Sequence, residues 1–255
     1  MRVLVVTSPG RLPTTSPDPG VWWDAVAEAG RHELLRFSAN EAWWRVICGE
    51  RAKALLLSPL GVLESLRRRA LWRSRDIALA EDGAAAGRAL LSLRTPGPFA
   101  SSSAYVAALA PIAGYLAAFN RAQEELDVNV VVGPSVRGLD YLDSAAVVAY
   151  SRRDTFLSKT IEEALSGCPR DIGFAAFSPS KSEDLLTNII VARLLRARNP
   201  GIHLCLVDLS CEDYSLLPHL ETLRASGTLD GVFDTIVESK DDRDDVLPAL
   251  IEAAA

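Results

Sequence analysis

The chain is poor in the residues that carry most enzyme chemistry. It has three histidines (His32, His203, His219) and four cysteines (Cys48, Cys168, Cys205, Cys211) in 255 residues. A hydrolytic triad needs a nucleophile, a base and an orienting group. No Gly-x-Ser-x-Gly elbow presents a serine, and His219 follows Pro218 in an expected surface helix. Zinc asks for about four N, O or S donors converging tetrahedrally, yet no Cys-x2-Cys or His-x3-His pair is present. The nearest approach to a metal motif is His203, Cys205, Asp208 and Cys211. His203 and Cys205 stand two apart on a strand and share a face, whereas Cys211 falls past its end. A buried strand and its mouth account for these four residues, and no metal is expected.

A basic surplus is also missing. The net charge of −6 argues against a dedicated nucleic-acid surface, which needs a basic face. The densest basic run, RRRALWRSR (Arg67 to Arg75), is expected to be a solvated helix face, with contact to phosphate or an acidic peptide as the alternative. Apolar runs are short or broken by Pro, Gly or charge, so no transmembrane segment is expected. The start, MRVLVVTSPG, has too few apolar residues before Pro9 for a signal-peptide core. A cytoplasmic location with four free thiols follows as the expectation.

What is abundant is apolar sequence, 49% of the chain, enough for a substantial core in one domain. RVLVVT (2–7), HELLRFS (32–38) and AKALLLS (52–58) read as strands, with helices expected at VWWDAVAEAG (21–30) and NEAWWRVICGE (40–50). The pattern returns more clearly after position 170. DIGFAAFS (171–178) is a buried-strand run. SKSEDLLTNIIVARLLRARNPG then carries Leu185, Leu186, Ile189, Ile190 and Leu194 at helical spacing. Ser180 and Glu183 form a capping-box pattern at its start, and Asn199-Pro200-Gly201 ends it. IHLCLVD, a helix over EDYSLLPHLETLRAS, GVFDTIVE and a last helix opened by SKDDRDDV complete the alternation. Continuous apolar strands alternating with amphipathic helices predict a parallel sheet covered on both faces.

The middle is different. Residues 60–165 are expected to form a largely helical insertion within a single α/β domain spanning 1–255. Tyr105, Leu109, Ile112, Leu116 and Phe119 recur at spacings of 4, 3, 4 and 3 as one apolar stripe. Pro111 lies inside it, so a helix is expected to start there or to kink. VNVVVGPSVRG (128–138) is expected as an extra strand or an extended segment.

In open α/β sheets, ligands bind beyond the carboxyl ends of the strands. Here that edge gathers Thr7, Ser8 and Gly10 after the first strand and Ser178, Ser180 and Lys181 after DIGFAAFS. Asp208, Ser210 and Glu212 follow IHLCLV, and Glu238 and Ser239 follow the last strand. Hydroxyls beside helix starts suit an anion or polar ligand, while Asp208, Glu212 and Glu238 oppose an anion. Helix capping is the competing use of the same residues: Ser210 and Ser239 each fit an N-cap position. Asp140 and Asp143 are paired carboxylates or a turn with one capping aspartate. The acidic ESKDDRDDV favours a helix start and lacks fixed Mg²⁺ or Ca²⁺ ligand spacing. Trp22-Trp23 and Trp43-Trp44 are each expected to bury one ring and leave the other near the surface. They pack as core or serve as interface anchors.

The segment CPRDIGFAAFSPSKSEDLLTNIIVARLLRARNPGIHLCLVD resembles the cobalamin-binding-like domain found at the front of radical S-adenosylmethionine enzymes that mature ribosomally made peptides. LLSLRTPGPFASSSAYVAALAPIAGYLAAFN and VRGLDYLDSAAVVAYSRRDTF stand where that family carries a helical stretch. The resemblance implies an open, doubly wound, mostly parallel Rossmann- or flavodoxin-like sheet with a helical insertion. It departs from the family in chemistry. The Cys-x3-Cys-x2-Cys triad that holds the family's four-iron cluster is absent, and so is the Asp-x-His-x-x-Gly cobalamin ligand signature. The turn where the family has two glycines carries Val207 and Asp208, groups that crowd and oppose a phosphate-bearing tail. What is expected is therefore a degenerate, stand-alone relative, uncatalytic by itself. It would act as a scaffold or accessory to a protein or peptide partner in natural-product biosynthesis, with no cofactor, nucleic acid or membrane, and compatible with a homodimer. The alternatives are a cobalamin-carrying subunit of a split radical methyltransferase, and a small-molecule enzyme using the strand-edge crevice.

Overall fold

The computed structural model describes residues 1–7, 32–49, 79–122, 125–129, 133–179, 182–207, 224–237 and 240–255. The expectations at 21–30, 52–58, Arg67 to Arg75 and 212–223 lie outside them.

Strands β1 (Arg2–Thr7) and β2 (Glu33–Ser38) are followed by helix α1 (Ala39–Ile47). Then come α2 (Leu79–Ser92), α3 (Ser102–Ala122), the short strands β3 (Leu126–Asn129) and β4 (Gly133–Val136), and helices α4 (Ser144–Ser151) and α5 (Phe156–Leu165). The chain returns through β5 (Ile172–Ser178), α6 (Ser182–Arg198), β6 (His203–Val207), β7 (Thr235–Val237) and α7 (Lys240–Ala253). The main sheet has the order β2-β1-β5-β6-β7, and every neighbouring pair is parallel. The fold is thus α/β with a parallel five-stranded sheet.

Strand pleating sorts the side chains onto two faces. Val3 and Val5 of β1, Phe174 and Ala176 of β5 and Cys205 and Val207 of β6 pack with Leu247 and Ile251 of α7. Leu4, Val6, Ala175, Phe177, Leu204 and Leu206 face the other way, towards α1 and α6. The β1–β5 register skips Gly173, because Arg2 pairs with Ile172 and Val3 with Phe174. A Cβ on Gly173 would stand 2.3 Å from the Met1 sulfur, so a larger residue there would displace the flexible Met1 side chain.

The helices between α1 and β5 share the core on the α1/α6 face. An aromatic run joins them: Trp43 of α1 meets the edge of Phe156 of α5 at 6.2 Å, and Phe156 meets Phe119 of α3 at 5.4 Å. Both Trp43 and Trp44 are buried, at 1% and 2% exposure, against the expected one-in, one-out arrangement. The reason is that α1 is covered on several sides, by β1, α2 and α5. Trp22 and Trp23 lie outside the described residues.

Three further differences concern the middle. Residues 128–138 form neither one strand nor a sheet addition: β3 and β4 pair antiparallel as a separate hairpin. Helix α3 begins well before Pro111 and runs through it, so the expected start there is overturned. The missing proline N–H frees the Ala107 carbonyl, and both residues are exposed, so water can meet it. Finally, Ser102–Asn120 is long and apolar enough to cross a membrane by length and composition, because Pro111 and Gly114 do not interrupt the helix as expected. Its apolar stripe is covered only in part: Ile112, Leu116 and Phe119 are buried, while Tyr105 is 38% exposed.

Candidate functional site

The carboxyl edge of the sheet is reached by two routes. Strand β2 passes directly into α1, where Ser38 acts as N-cap and accepts from the Glu41 N–H at 3.1 Å, meeting one of the unpaired helix-start donors. Strands β1 and β5 end at Thr7 and Ser178, which are register partners, and Thr7 also pairs with Ser38. Three hydroxyl residues therefore line the ends of three adjacent strands, about 4.8 Å apart from strand to strand. The Ser38 hydroxyl is engaged by its helix. The Thr7 and Ser178 hydroxyl oxygens are buried and have no hydrogen-bond partner among the described residues. Leaving such a group unmet costs on the order of 1–3 kcal/mol, so a bound polar group would be stabilised there.

The position matters as much as the chemistry. From β1 the chain goes to β2 on one side, while β5, β6 and β7 extend the sheet on the other. Thr7 and Ser178 flank the point where the strand order reverses, and such a crevice is where open α/β sheets hold ligands. Of the edge residues expected from sequence, the structure brings Thr7 and Ser178 together. Ser8, Gly10, Ser180, Lys181, Asp208, Ser210, Glu212, Glu238 and Ser239 lie outside the described residues. Ser38 was missed because its serine reads as an ordinary helix cap. Only the β1–β2 register puts it in the same row.

Val207 is the last residue of β6, fully buried and paired with Val237, not a member of the turn beyond the strand. Its side chain packs in the α7 layer with Val5 and Ala176, the face that Thr7 and Ser178 share by strand alternation, so it stands beside the crevice on the β6 side. His203 lies at the opposite, amino end of β6. Its ring stacks on Phe174 at 5.2 Å, and its Nε2 is 3.0 Å from the Thr235 hydroxyl. Cys205 shares that face, and burial pushes its thiol up to about 12, with the Asp234 carboxylate acting in the same direction. His32 also stands at the amino edge, beside Glu252 at 3.3 Å. Neither imidazole is placed to reach the Thr7–Ser178 crevice. Cys211 and His219 lie outside the described residues, and among those residues no group of three His, Cys, Asp or Glu converges as a metal site.

The paired carboxylates resolve into turn chemistry. Asp143 caps α4 by accepting from the Ala146 N–H at 3.0 Å, and Asp140 accepts from the Leu142 N–H at 2.9 Å. Both are local side-chain-to-backbone bonds typical of aspartate in turns.

No protein-family model, curated protein or solved structure matches this chain.

Proposed function

We propose that this chain is an accessory protein built on a degenerate cobalamin-binding-like, doubly wound domain, which works by docking a protein or peptide partner in natural-product maturation. The observation that carries the docking role is the end of the α2–α3 hairpin. Leu91, Phe99, Tyr105 and Val106 are exposed there, at 63%, 58%, 38% and 64%, and the sequence holds no charge from Thr95 to Asn120. Clustered exposed apolar residues of this kind mark interaction sites in soluble domains. The strand order supports the doubly wound assignment: counting only the sheet strands, it is 2-1-3-4-5, one of the two common doubly wound orders. The resemblance in 168–208 supplies the maturation context.

A second reading is favoured by the unmet hydroxyls of Thr7 and Ser178: the crevice keeps a ligand, and the chain is the cobalamin-carrying subunit of a split methyltransferase. These hydroxyls suit a hydrogen-bonded ligand, while His32 and His203 are not positioned as axial ligands to a corrin. One experiment separates the readings. The protein is mixed with hydroxocobalamin, passed through gel filtration and its visible spectrum recorded. The accessory reading expects no retained absorbance. One retained equivalent, lost in Thr7→Val/Ser178→Ala, overturns it in favour of the carrier.

A further inference from the structure

Helices α1 and α2 run antiparallel, with Cys48 against Gly83 and Gly87 at one end and Glu41 against Arg94 at the other. A Cβ on Gly83 would come within 3.2 Å of the Cys48 carbonyl oxygen and 3.3 Å of the Tyr115 ring. The glycine lets the helices close at that end. From Cys48 and Gly87 to Glu41 and Arg94 a cleft of about 310 Å³ lies between them. Its walls are one stripe from each helix, Trp44, Arg45 and Cys48 facing Leu90, Leu91 and Arg94, at the three- and four-residue spacings that place side chains on one face.

Three features of this cleft point to one kind of occupant. Trp44 is 2% exposed and its indole N–H is buried without an acceptor among the described residues, although buried indoles ordinarily find one. Leu90 and Leu91 supply apolar wall, and Leu91 is 63% exposed to whatever enters. Arg45 is exposed on the same wall and makes no ion pair with the described residues, while Arg94 spans the mouth to the Glu41 carboxylate at 2.7 Å. A donor and a cation without partners among the described residues, beside an apolar wall, complement a molecule with an apolar body and an anionic acceptor. The volume sits at the small end of ligand pockets.

We propose that the α1–α2 cleft binds a small amphipathic carboxylate of the medium-chain acyl type. The chain lies against Leu90 and Leu91, and the carboxylate meets the Trp44 donor and the Arg45 charge. The site is separate from the sheet edge and does not depend on what that edge holds.

The test is calorimetric titration of the full chain with decanoate and with decanol. Saturable binding of decanoate at one site per chain is expected. Arg45→Gln, an exposed change that leaves the fold intact, weakens decanoate at least tenfold and decanol less than twofold. Trp44→Phe weakens decanoate several-fold. Gly87→Leu projects a side chain where a Cβ meets only the Cys48 Cβ at 3.7 Å. It fills the cleft and abolishes both titrations while the thermal melt is retained. No saturable binding, many loose sites per chain, or decanoate binding that Arg45→Gln leaves unchanged would each overturn the proposal.

Discussion

Helices α6 and α3 invert the usual expectation about which sequence ends up inside. Helix α6 carries Asp184, Thr187 and Asn188, yet every residue from Asp184 to Ala192 is buried. Helix α3 is uncharged over Ser102–Asn120, yet only 28% of that apolar window is buried. The difference is position. Helix α6 connects two central strands, so one side lies on the sheet and α4 and α5 pack on the other. Helix α3 lies further from the sheet, chiefly against α2 and β3; its second half enters the common core through Ile112, Tyr115, Leu116 and Phe119, while Ala108 and Leu109 only pack against it half-buried. Composition sets the driving force for burial, and connectivity decides which helix is enclosed.

The comparison is broken most directly in α6. Ile189 is fully buried, and Ile189→Ala is expected to cost about 2–5 kcal/mol in urea unfolding, the usual range for emptying a core site. A loss below about 1 kcal/mol would show that α6 is not the enclosed element. Next in size is Tyr115 on the buried half of α3, whose hydroxyl donates to the Ile47 carbonyl of α1. Tyr115→Phe leaves that carbonyl unmet and is expected to cost about 1–3 kcal/mol, measured by the same unfolding.

Surface charge on the sheet side should matter less, and its contribution should vanish at low pH. Asp171, hydrogen-bonded to Arg2, is held below its ordinary value of 3.8. A depressed carboxylate adds stability above its unfolded value and loses it as pH falls through the folded one. The urea midpoint of Asp171→Asn should therefore lie slightly below the parent at neutral pH and converge with it below about pH 4. A gap that does not shrink as pH falls below about 4 would refute the assignment. Smallest of all, Val106→Ser on the exposed half of α3 should change stability by no more than about 0.5 kcal/mol. A core-sized loss there would mean that this half is covered after all.

Much of the sheet was legible because the inner strands, buried on both faces, leave unbroken apolar runs, and the edge strand β2 keeps a short one. RVLVVT, ELLRFS, IGFAAFS and HLCLV all became strands within a residue or two of expectation. The β3–β4 hairpin was less legible, since Gly133 and Pro134 permit either an extended segment or a turn. The Trp43-Trp44 pair misled because adjacent helix positions diverge by about 100°, which exposes one ring only when the helix has a free side. At the candidate site, Thr7 and Ser178 were visible as strand-end hydroxyls. That they face each other across one register step, with both oxygens unmet, depends on pairing between residues 171 positions apart.

The amino-acid sequence by itself determined the α/β class and the two kinds of periodicity, because pleat and helix repeat are written locally in the spacing of apolar side chains. It also placed hydroxyls rather than imidazoles at the ends of β1 and β5. Only the tertiary structure decided the strand order and the meeting of Thr7 with Ser178. It also decided the burial of both α1 tryptophans and the cleft between α1 and α2. These are long-range choices, set by which surfaces meet once the chain has closed on itself, and no local pattern encodes them.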